Sequence, residues 1–329
     1  MAKLLEVKNL ITQFKVDKTK IISAVDKVSF SIDEGETLAI VGESGSGKSV
    51  TALSVMQLVP NPPGHIEGGE IFFQGEDLLK KSAAQMREVR GNKISMIFQE
   101  PMTSLNPVYT IGEQITEAIR LHLKLSKKDA EARAVELLRK VEIPDAEKRL
   151  KTYPHQLSGG MRQRVMICMA LSCSPKLLIA DEPTTALDVT IQAQILDLIR
   201  HLRESEKTAV MFITHDLGVV ADIAHRAVVM YAGNIMEMGS VHDMFLNPLH
   251  PYTRGLLSAI PKLSTPRGEK LYTIRGIVPD LSNLPKGCVF STRCEECMEI
   301  CHEKRPPLRQ LEDGRQVRCF KVEGGKVIG

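Results

Sequence analysis

Short, continuous runs of apolar residues recur along the chain, and each stops at a glycine or a polar residue. They lie at residues 38–41, 177–180 and 210–213. Runs of this length are typical of parallel strands that are buried on both faces of a sheet. The first run stops at Gly42, the second at Asp181, and His215 follows the third. Helical patterns at residues 48–56 and 191–203 come between them, so the sequence predicts a parallel sheet covered by helices.

Other patterns extend this prediction at both ends of the chain. Residues 4–10 and 28–32 alternate apolar and polar positions, as half-buried antiparallel strands do. Residues 110–151 follow a helical pattern, with Ser126 as a predicted N-cap. After about residue 245 the prolines come at short intervals, which are Pro248, Pro251, Pro261, Pro266, Pro279 and Pro285. We therefore expect a tail that buries little surface and is stabilised by something other than a core.

The composition excludes some classes of protein. With 329 residues, 43% of them hydrophobic, the chain is long enough for one large domain with an appendage, or for two domains. The net charge is only +3, Trp is absent and other aromatic residues are few, so a nucleic-acid partner is not expected. No segment reaches the roughly 18 consecutive apolar residues of a membrane helix, and Glu6 comes too early for a signal peptide. We expect a cytosolic protein, or one bound to the cytosolic face of a membrane.

Residues 42–49 fit the pattern G-x-x-x-x-G-K-[ST] of a phosphate-binding loop. The glycines let the backbone turn so that successive N–H groups face phosphate oxygens, and the following helix adds its positive N-terminus. Lys48 is expected to reach the β- and γ-phosphates, and the Ser49 hydroxyl to bind Mg²⁺. The predicted ATP contacts in this loop are Gly42, Ser44, Gly45, Ser46, Gly47, Lys48, Ser49 and Val50. The alternative is a plain glycine-rich turn, which the preceding strand and following helix disfavour.

Two acidic residues, Asp181 and Glu182, follow the second apolar run. Carboxylates at the carboxyl end of a parallel strand stand beside a bound ligand. Asp181 is therefore expected to hold Mg²⁺, and Glu182 to polarise an attacking water. His215 is a candidate contact of the γ-phosphate. The alternatives are an acidic turn at the end of a strand and a structural histidine.

A further motif comes shortly before the two acids, where residues 157–164 have the sequence LSGGMRQR. It is similar to the LSGGQ signature of ABC ATPases, with Met161 where Gln is usual and Gln163 two places on. The other matching segments are residues 98–101 for the Q-loop, 186–188 for the D-loop and 212–216 for the switch-histidine segment. Phe14 falls where that family has an aromatic residue that stacks on adenine, although it could also simply pack a hairpin. In this order, residues 4–245 resemble one ABC cassette.

The resemblance implies a fold and a domain organisation. We expect an α/β P-loop NTPase cassette with a parallel sheet core, an antiparallel β-subdomain and a helical subdomain at about residues 105–170. The cassette would span residues 1–260, and a small cysteine-rich domain would span residues 261–329. Because no motif position critical for hydrolysis is degenerate, we expect an active ATPase.

The resemblance also implies a role for each matched residue. The expected catalytic residues are Glu182 as base, His215 as switch, Lys48 and Gln99. The expected Mg²⁺ ligands are Ser49, Gln99 and Asp181. ABC ATPases dimerise head to tail around two ATP molecules, and the residues expected at the partner's ATP are Ser158, Gly160 and Asp188.

The tail resembles a narrower group. Residues 276–281 and 285–294 are similar to the C-terminal extension of ATP-binding subunits of dipeptide and oligopeptide permeases. Residues 99–107 and 247–253 look like the same subfamily. This implies import of peptides, while nickel or another solute is the alternative, because some relatives with this tail carry those.

Five of the seven cysteines lie in the tail. Four of them, Cys288, Cys294, Cys301 and Cys319, follow the spacing C-x5-C-x6-C-x17-C. A reducing cytosol disfavours disulfides, and four thiolates suit a [4Fe–4S] cluster or Zn²⁺. In the family that the tail resembles, cysteines at these positions are associated with an iron–sulfur cluster. Such a cluster would hold the tail folded. Zinc with Cys297 as a ligand, or no metal, are the alternatives. Cys168 and Cys173 are expected to be ordinary buried thiols.

The resemblance finally implies partners. These are a second ATP-binding subunit (or a second copy of this chain in isolation), two membrane permease subunits and, indirectly, an extracytoplasmic solute-binding protein. The chain would sit peripherally on the cytoplasmic face of the cell membrane. Competing hypotheses are a soluble ABC ATPase of DNA repair or translation, and a regulatory metal-sensing module. The first usually has two cassettes or coiled-coil insertions, and this chain shows one cassette without sustained heptads.

Overall fold

The computed structural model describes residues 3–17, 20–99, 104–184, 188–260, 272–323 and 326–327. The chain forms two compact units. The first unit comprises the residues up to Leu4, Ile32–Glu36 and Phe73–Ile213. The second unit comprises Leu5–Ser31, Thr37–Phe72 and the chain from Thr214 onward.

The elements of the described residues are as follows. The strands are β1 (Lys3–Lys15), β2 (Ile21–Asp33), β3 (Thr37–Val41), β4 (Gly64–Phe73), β5 (Glu76–Asp77), β6 (Ile94–Ile97), β7 (Leu177–Asp181), β8 (Ala209–Thr214), β9 (Arg226–Tyr231), β10 (Asn234–Ser240), β11 (Arg309–Gln310), β12 (Gln316–Val317), β13 (Val322–Glu323) and β14 (Lys326–Val327). The α-helices are α1 (Lys48–Val55), α2 (Ala83–Val89), α3 (Ile111–Leu123), α4 (Lys127–Lys140), α5 (Ala146–Arg149), α6 (Gly159–Leu171), α7 (Val189–Glu206), α8 (Leu217–Ile223), α9 (Val241–Leu246), α10 (Pro251–Ser258) and α11 (Glu299–Glu303). Short 3₁₀ turns cover Leu78–Lys80 and Pro154–Gln156.

Parallel strands β6, β7 and β8 form the sheet of the first unit, with β7 in the middle. Every residue of the three strands is buried, which explains why β7 and β8 appear in the sequence as unbroken apolar runs. The register pairs Asp181, the last residue of β7, with Ile213 of β8. The carboxyl ends of these two strands therefore meet at one edge, as the sequence predicted.

Helices α3, α4, α5 and α6 occupy the region predicted to be helical. Their packing pairs are α3 with α4, α4 with α5, α4 with α6 and α3 with α6. Ser126 caps α4 as predicted, because its hydroxyl accepts a hydrogen bond from the backbone N–H of Asp129. Thr110 and Glu113 form a capping box at the start of α3. None of the helices in the described part of the chain is long and apolar enough to cross a membrane.

The second unit contains a mixed sheet that includes a strand of the tail. β3 and β9 are parallel, and β10 runs antiparallel to β9. The tail strand β12 then pairs antiparallel with β10, and β11 pairs with β12. The predicted N-terminal strands β1 and β2 lie side by side in a separate sheet, and β4, which the sequence did not predict, lies on the other side of β1. The tail is thus continuous with the sheet that carries β3.

An aromatic cluster joins the tail to this sheet. Phe290 of the tail lies 5.2 Å from the ring of Tyr231 on β9 and 5.3 Å from the ring of Tyr252 on α10. Tyr231 and Tyr252 are themselves 4.8 Å apart, and both are fully buried. Cys288 and Cys301 belong to the same core. The tail therefore buries more apolar surface than its prolines predicted.

A buried carboxylate fixes the turn that leads into α10. Glu237 on β10 is fully buried, and its carboxylate accepts hydrogen bonds from the backbone N–H groups of Leu249 and His250 at 3.0 and 2.9 Å. Burial raises the pKa of this carboxyl. Because one carboxylate accepts from both backbone N–H groups, it fixes this segment in the position from which Tyr252 enters the aromatic cluster.

We predict that Glu237→Gln lowers the free energy of unfolding by about 1–3 kcal/mol. The amide has only one oxygen, so its NH₂ group would face one of the two backbone donors. Denaturant titration measures the change. Glu34→Gln, in an exposed turn, is the control and should stay within about 0.5 kcal/mol of the native chain. Equal stability of both variants would contradict the role of Glu237.

Candidate nucleotide site

The predicted phosphate loop connects β3 to α1 in the second unit. Gly42, Gly45 and Gly47 have φ values of 153°, 77° and 100°, which glycine adopts without strain. A Cβ atom on Gly42 would lie 2.2 Å from the carbonyl oxygen of Met230, and one on Gly47 would lie 2.4 Å from that of Ala24. Glycine is therefore required at both positions for space as well as for backbone conformation.

Two buried side chains inside the loop carry hydrogen-bond donors that suit an anion. Lys48 is buried, and its ammonium donates to the carbonyl oxygens of Gly42 at 2.7 Å and Glu43 at 3.0 Å. The Ser46 hydroxyl is buried and has no hydrogen-bond partner within the described residues. A phosphate oxygen could satisfy it, together with the N–H groups at the start of α1. Ser44 and Gly45 are exposed, while Ser49 and Val50 are half-buried.

Tyr252 and Arg293 also contact the loop, and no sequence motif indicated this. The backbone N–H of Glu43 donates to the Tyr252 hydroxyl at 2.9 Å. Arg293 forms an ion pair with the Glu43 carboxylate. Burial raises the pKa of Tyr252, so its hydroxyl stays neutral. Both partners lie more than 200 positions from Glu43 in the sequence, where no local pattern can reveal the contact.

The two predicted acids lie at the end of β7 in the first unit. Asp181 is buried, and Glu182 follows it with a φ of 46°, a left-handed conformation that is strained for a residue with a side chain. The backbone N–H of Glu182 donates to the carbonyl oxygen of Ile213 at 2.9 Å. Its carboxylate accepts a hydrogen bond from the Gln99 amide at 3.2 Å. The fold thus brings together two residues that are predicted to act on the attacking water.

Ser158 begins helix α6, and its hydroxyl accepts a hydrogen bond from the backbone N–H of Met161 at 3.3 Å. Ser158 and Gly159 are exposed, and Gly160 is half-buried. A thirteen-residue helix with an exposed N-terminus is suited to bind an anion. This is the geometry that the predicted contact with a partner's ATP requires.

Gln163 has a structural role that the sequence did not reveal. It is buried on α6, and its amide donates to the carbonyl oxygen of Pro183 at 2.5 Å. Pro183 directly follows Glu182. Helix α6, the signature helix that begins within the motif at residues 157–164, is therefore tied to the segment that carries the predicted catalytic base. A polar residue two positions before the apolar run 165–171 was the only local signal.

The remaining predicted residues have local contacts of their own. Phe14 is half-buried on β1, and its ring packs against Gly64, where a Cβ atom would come within 2.6 Å. His215 is exposed just after β8. The Asp188 carboxylate caps α7. Their roles toward ATP stay predictions. Residues 100–101 of the Q-loop segment and 186–187 of the D-loop segment lie outside the described residues.

The four spaced tail cysteines line one small cavity. Cys288, Cys294, Cys301 and Cys319 all face it. Burial raises the pKa of Cys288 to about 11 and of Cys294 to about 12. The Cys297 thiol instead lies 3.4 Å from Nε2 of His302.

Within the described part of the chain, no group of three or more His, Cys, Asp and Glu side chains is arranged to hold a single metal ion. Cys168 and Cys173 are buried, as the sequence predicted, and burial raises the pKa of both thiols.

We predict that Gln163→Ala lowers the turnover of ATP about tenfold or more while nucleotide affinity stays within about twofold, because the segment beside Glu182 loses its anchor. Steady-state kinetics measure the turnover, and a nucleotide titration measures the affinity. Gln192→Ala, on α7, is the matched control and should leave turnover unchanged. A weaker affinity with unchanged turnover in Gln163→Ala would contradict the anchoring role.

Comparisons with known proteins agree with this geometry. Residues 25–185 match the family model described as ABC transporter. Residues 236–301 match the model described as oligopeptide/dipeptide transporter, C-terminal region.

Full-length relatives and solved structures match as well. The chain is 55% identical to the oligopeptide transport ATP-binding protein AppD of Bacillus subtilis, with 98% of each chain covered. It is 49% identical to the dipeptide transport ATP-binding protein DppD of Escherichia coli, with 96% of each covered. The ATP-binding cassette MJ0796, solved as a post-hydrolysis dimer with ADP and Pi, matches with a TM-score of 0.66 and 28% identity over 72% of this chain and 98% of that one. This chain therefore belongs to the ABC transporter ATP-binding proteins, within the oligopeptide/dipeptide family, and has their ATPase cassette fold.

Proposed function

We propose that this chain hydrolyses ATP to drive the import of dipeptides or oligopeptides through a membrane permease. The observation that carries the proposal is the combination of the cassette with the C-terminal region at residues 236–301, which matches the oligopeptide/dipeptide model. Relatives that share both parts over nearly their whole length bear the names of oligopeptide and dipeptide transport proteins.

Each matched motif residue is assigned a part in hydrolysis. Lys48 and the N–H groups of the phosphate loop bind and neutralise the phosphates, and this electrostatic stabilisation should be the largest catalytic contribution. Glu182 acts as the base that polarises the attacking water, and Gln99, bonded to it at 3.2 Å, orients that water. His215 senses the γ-phosphate. Ser49, Gln99 and Asp181 would hold Mg²⁺, which neutralises developing charge on the phosphates.

ATP binding would join two such subunits. Ser158 and Gly160 would bind the γ-phosphate of ATP held by the partner, through the N-terminus of α6. The exposure of Ser158 and Gly159 supports this role. Asp188 would communicate across the same interface, and Phe14 would stack on adenine. In the transporter the partner is a second ATP-binding subunit, and in isolation it is a second copy of this chain.

The permease would dock on the helical subdomain. A groove of about 1130 Å³ runs between α3 and α4. Tyr109 and Leu121 on its border are more than half exposed, and Arg120, Glu117 and Lys128 line it. Apolar side chains rimmed by charges suit a short amphipathic helix. Two permease subunits, fed by an extracytoplasmic binding protein, would therefore hold the chain peripherally at the cytoplasmic face of the membrane.

The tail, residues 261–329, would form an accessory domain attached to the cassette at residues 1–260 and would bind a [4Fe–4S] cluster. Zn²⁺ needs sulfurs at about 2.3 Å from one point, whereas a four-iron cluster holds its thiolates at separated corners. Four cysteines around one cavity support the cluster, and Cys297 does not line that cavity, although its thiol contacts that of Cys301 and the His302 ring. The free space is only about 20 Å³, so their side chains must part to admit it. Its contribution would be structural.

We predict that Glu182→Gln lowers ATP turnover by about 100-fold or more, because it removes the base without removing phosphate contacts. ATP binding is retained, and uptake of a labelled dipeptide or oligopeptide falls with turnover. The assay uses cells that lack the native subunit, with Glu34→Gln as control. Uptake of labelled nickel but not of peptide would contradict the proposal that the solute is a peptide. Recovery of the chain in the soluble fraction, and not with membranes, would contradict the proposal that it is a transporter subunit.

We predict about four iron and four sulfide per chain in protein purified without oxygen. Serine at Cys288, Cys294, Cys301 or Cys319 should abolish the iron content and its visible absorption. Cys297→Ser should retain both, because its thiol lies outside the cavity. A colourless protein with one zinc per chain, lost on replacing Cys297, would contradict the cluster.

A further inference from the structure

A carboxylate stands inside the phosphate loop, where a triphosphate must bind. Glu43 is the second residue of the loop, directly after Gly42. A negative charge at this position repels phosphate unless a cation neutralises it. The cation comes from the tail. Arg293 donates from Nη1 to one carboxylate oxygen of Glu43 at 2.5 Å and from Nη2 to the other at 3.1 Å.

The guanidinium of Arg293 is itself held in place from several sides. Its Nε donates to the carbonyl oxygen of Arg275 at 3.0 Å, and its Nη2 to that of Ile274 at 3.4 Å. The Tyr231 hydroxyl accepts from Nη1 at 3.4 Å, and the guanidinium lies 5.7 Å from the centre of that ring. The Arg293 side chain is only 5% exposed. The Glu43 side chain is half-buried, at 30% exposed, so the two-pronged pair has a fixed geometry and is only partly screened by solvent.

The backbone of Glu43 is fixed as well. Its N–H donates to the hydroxyl of Tyr252 at 2.9 Å, and its carbonyl oxygen accepts from Lys48 at 3.0 Å. Side chain, N–H and carbonyl of this one residue are therefore bound to three different side chains. Two of the three, Tyr252 and Arg293, lie outside the motif.

We propose that Arg293 and Tyr252 are positioning residues of the nucleotide site, so that the cysteine-rich tail forms part of the ATP-binding apparatus of this chain. Arg293 neutralises Glu43 and holds its side chain away from the phosphates, and Tyr252 fixes the turn after Gly42. The inference rests on ATP binding at this loop. It adds a role for the tail that none of the nucleotide-binding motifs contains.

The contact couples the tail to nucleotide binding in both directions. Arg293 directly precedes Cys294, one of the four cysteines around the cavity, and Phe290 packs on both tyrosines. Any change that displaces residues 288–294 therefore releases the Glu43 carboxylate. By reciprocity, bound nucleotide must order the same tail segment.

The test measures nucleotide affinity and turnover in the purified full chain. Arg293→Gln should weaken binding of a fluorescent ATP analogue about tenfold, with turnover at saturating ATP within about twofold. In a Glu43→Gln background the same substitution should change affinity less than about twofold, because no carboxylate is left to neutralise. Arg293→Lys keeps the charge without the two-pronged geometry, so its nucleotide affinity should fall between those of the native chain and Arg293→Gln.

A matched control separates this role from simple attachment of the tail. Arg305 also joins the tail to the cassette, through the carboxylate of Asp26 on β2 at 2.9 Å and not through Glu43. Arg305→Gln should leave nucleotide affinity unchanged. Equal weakening by Arg305→Gln, or an effect of Arg293→Gln that persists in the Glu43→Gln background, would overturn the proposal.

A second readout stays informative if Arg293→Gln lowers stability. Tyr252→Phe removes only the acceptor for the Glu43 N–H and should weaken the affinity about threefold or more. Hydrogen–deuterium exchange of residues 288–294 should slow when nucleotide binds to the native chain, and should not respond in Arg293→Gln. Exchange that is insensitive to nucleotide in the native chain would refute the coupling. These measurements do not depend on transport, so they stand apart from the identity of the solute.

Discussion

Backbone N–H groups can surround a phosphate only where the chain turns through conformations that residues with side chains avoid, and this constraint governs the nucleotide-binding unit. Gly42 and Gly47 meet it through positive φ values and through contact with the carbonyls of Met230 and Ala24. The loop therefore has its shape only when β9 and the β2 region are in place. A local motif of eight residues thus depends on residues far away in the chain.

The residues predicted to act in hydrolysis are constrained in a similar way in the first unit. Glu182 is held in a left-handed conformation by a backbone hydrogen bond to Ile213, while Gln99 binds its carboxylate. Gln163 secures the next carbonyl from the signature helix. Strain at the predicted base is sustained because neighbouring elements fix the chain on both sides. The hydrogen bonds that stabilise this turn are therefore also those that would orient the proposed base.

Local patterns predicted what depends on local physics. Strands β3, β7 and β8 were visible because burial on both faces demands continuous apolar runs, and the Ser126 cap was visible because its hydrogen bond lies within one turn. The glycine-rich loop was recognisable for the same reason. Strand β6 was missed, because Ser95 interrupts its apolar run although it is buried with the rest.

The pairs that join distant segments could not be predicted. Arg293 and Glu43 are 250 positions apart, and nothing in either neighbourhood indicates the other. The tail was expected to lack a core because of its prolines, yet Phe290 packs into the aromatic cluster of the cassette. The Gln163 bond likewise becomes evident only when two elements are brought together. Tertiary packing, and not propensity, decides these contacts.

The most direct measurement is the rate of ATP hydrolysis by the complete transporter reconstituted in lipid, with and without peptide-loaded binding protein. We expect that loaded binding protein raises the hydrolysis rate and that labelled peptide accumulates in proportion to the ATP consumed. An ATP hydrolysis rate that no peptide alters, or peptide accumulation without ATP hydrolysis, would contradict it.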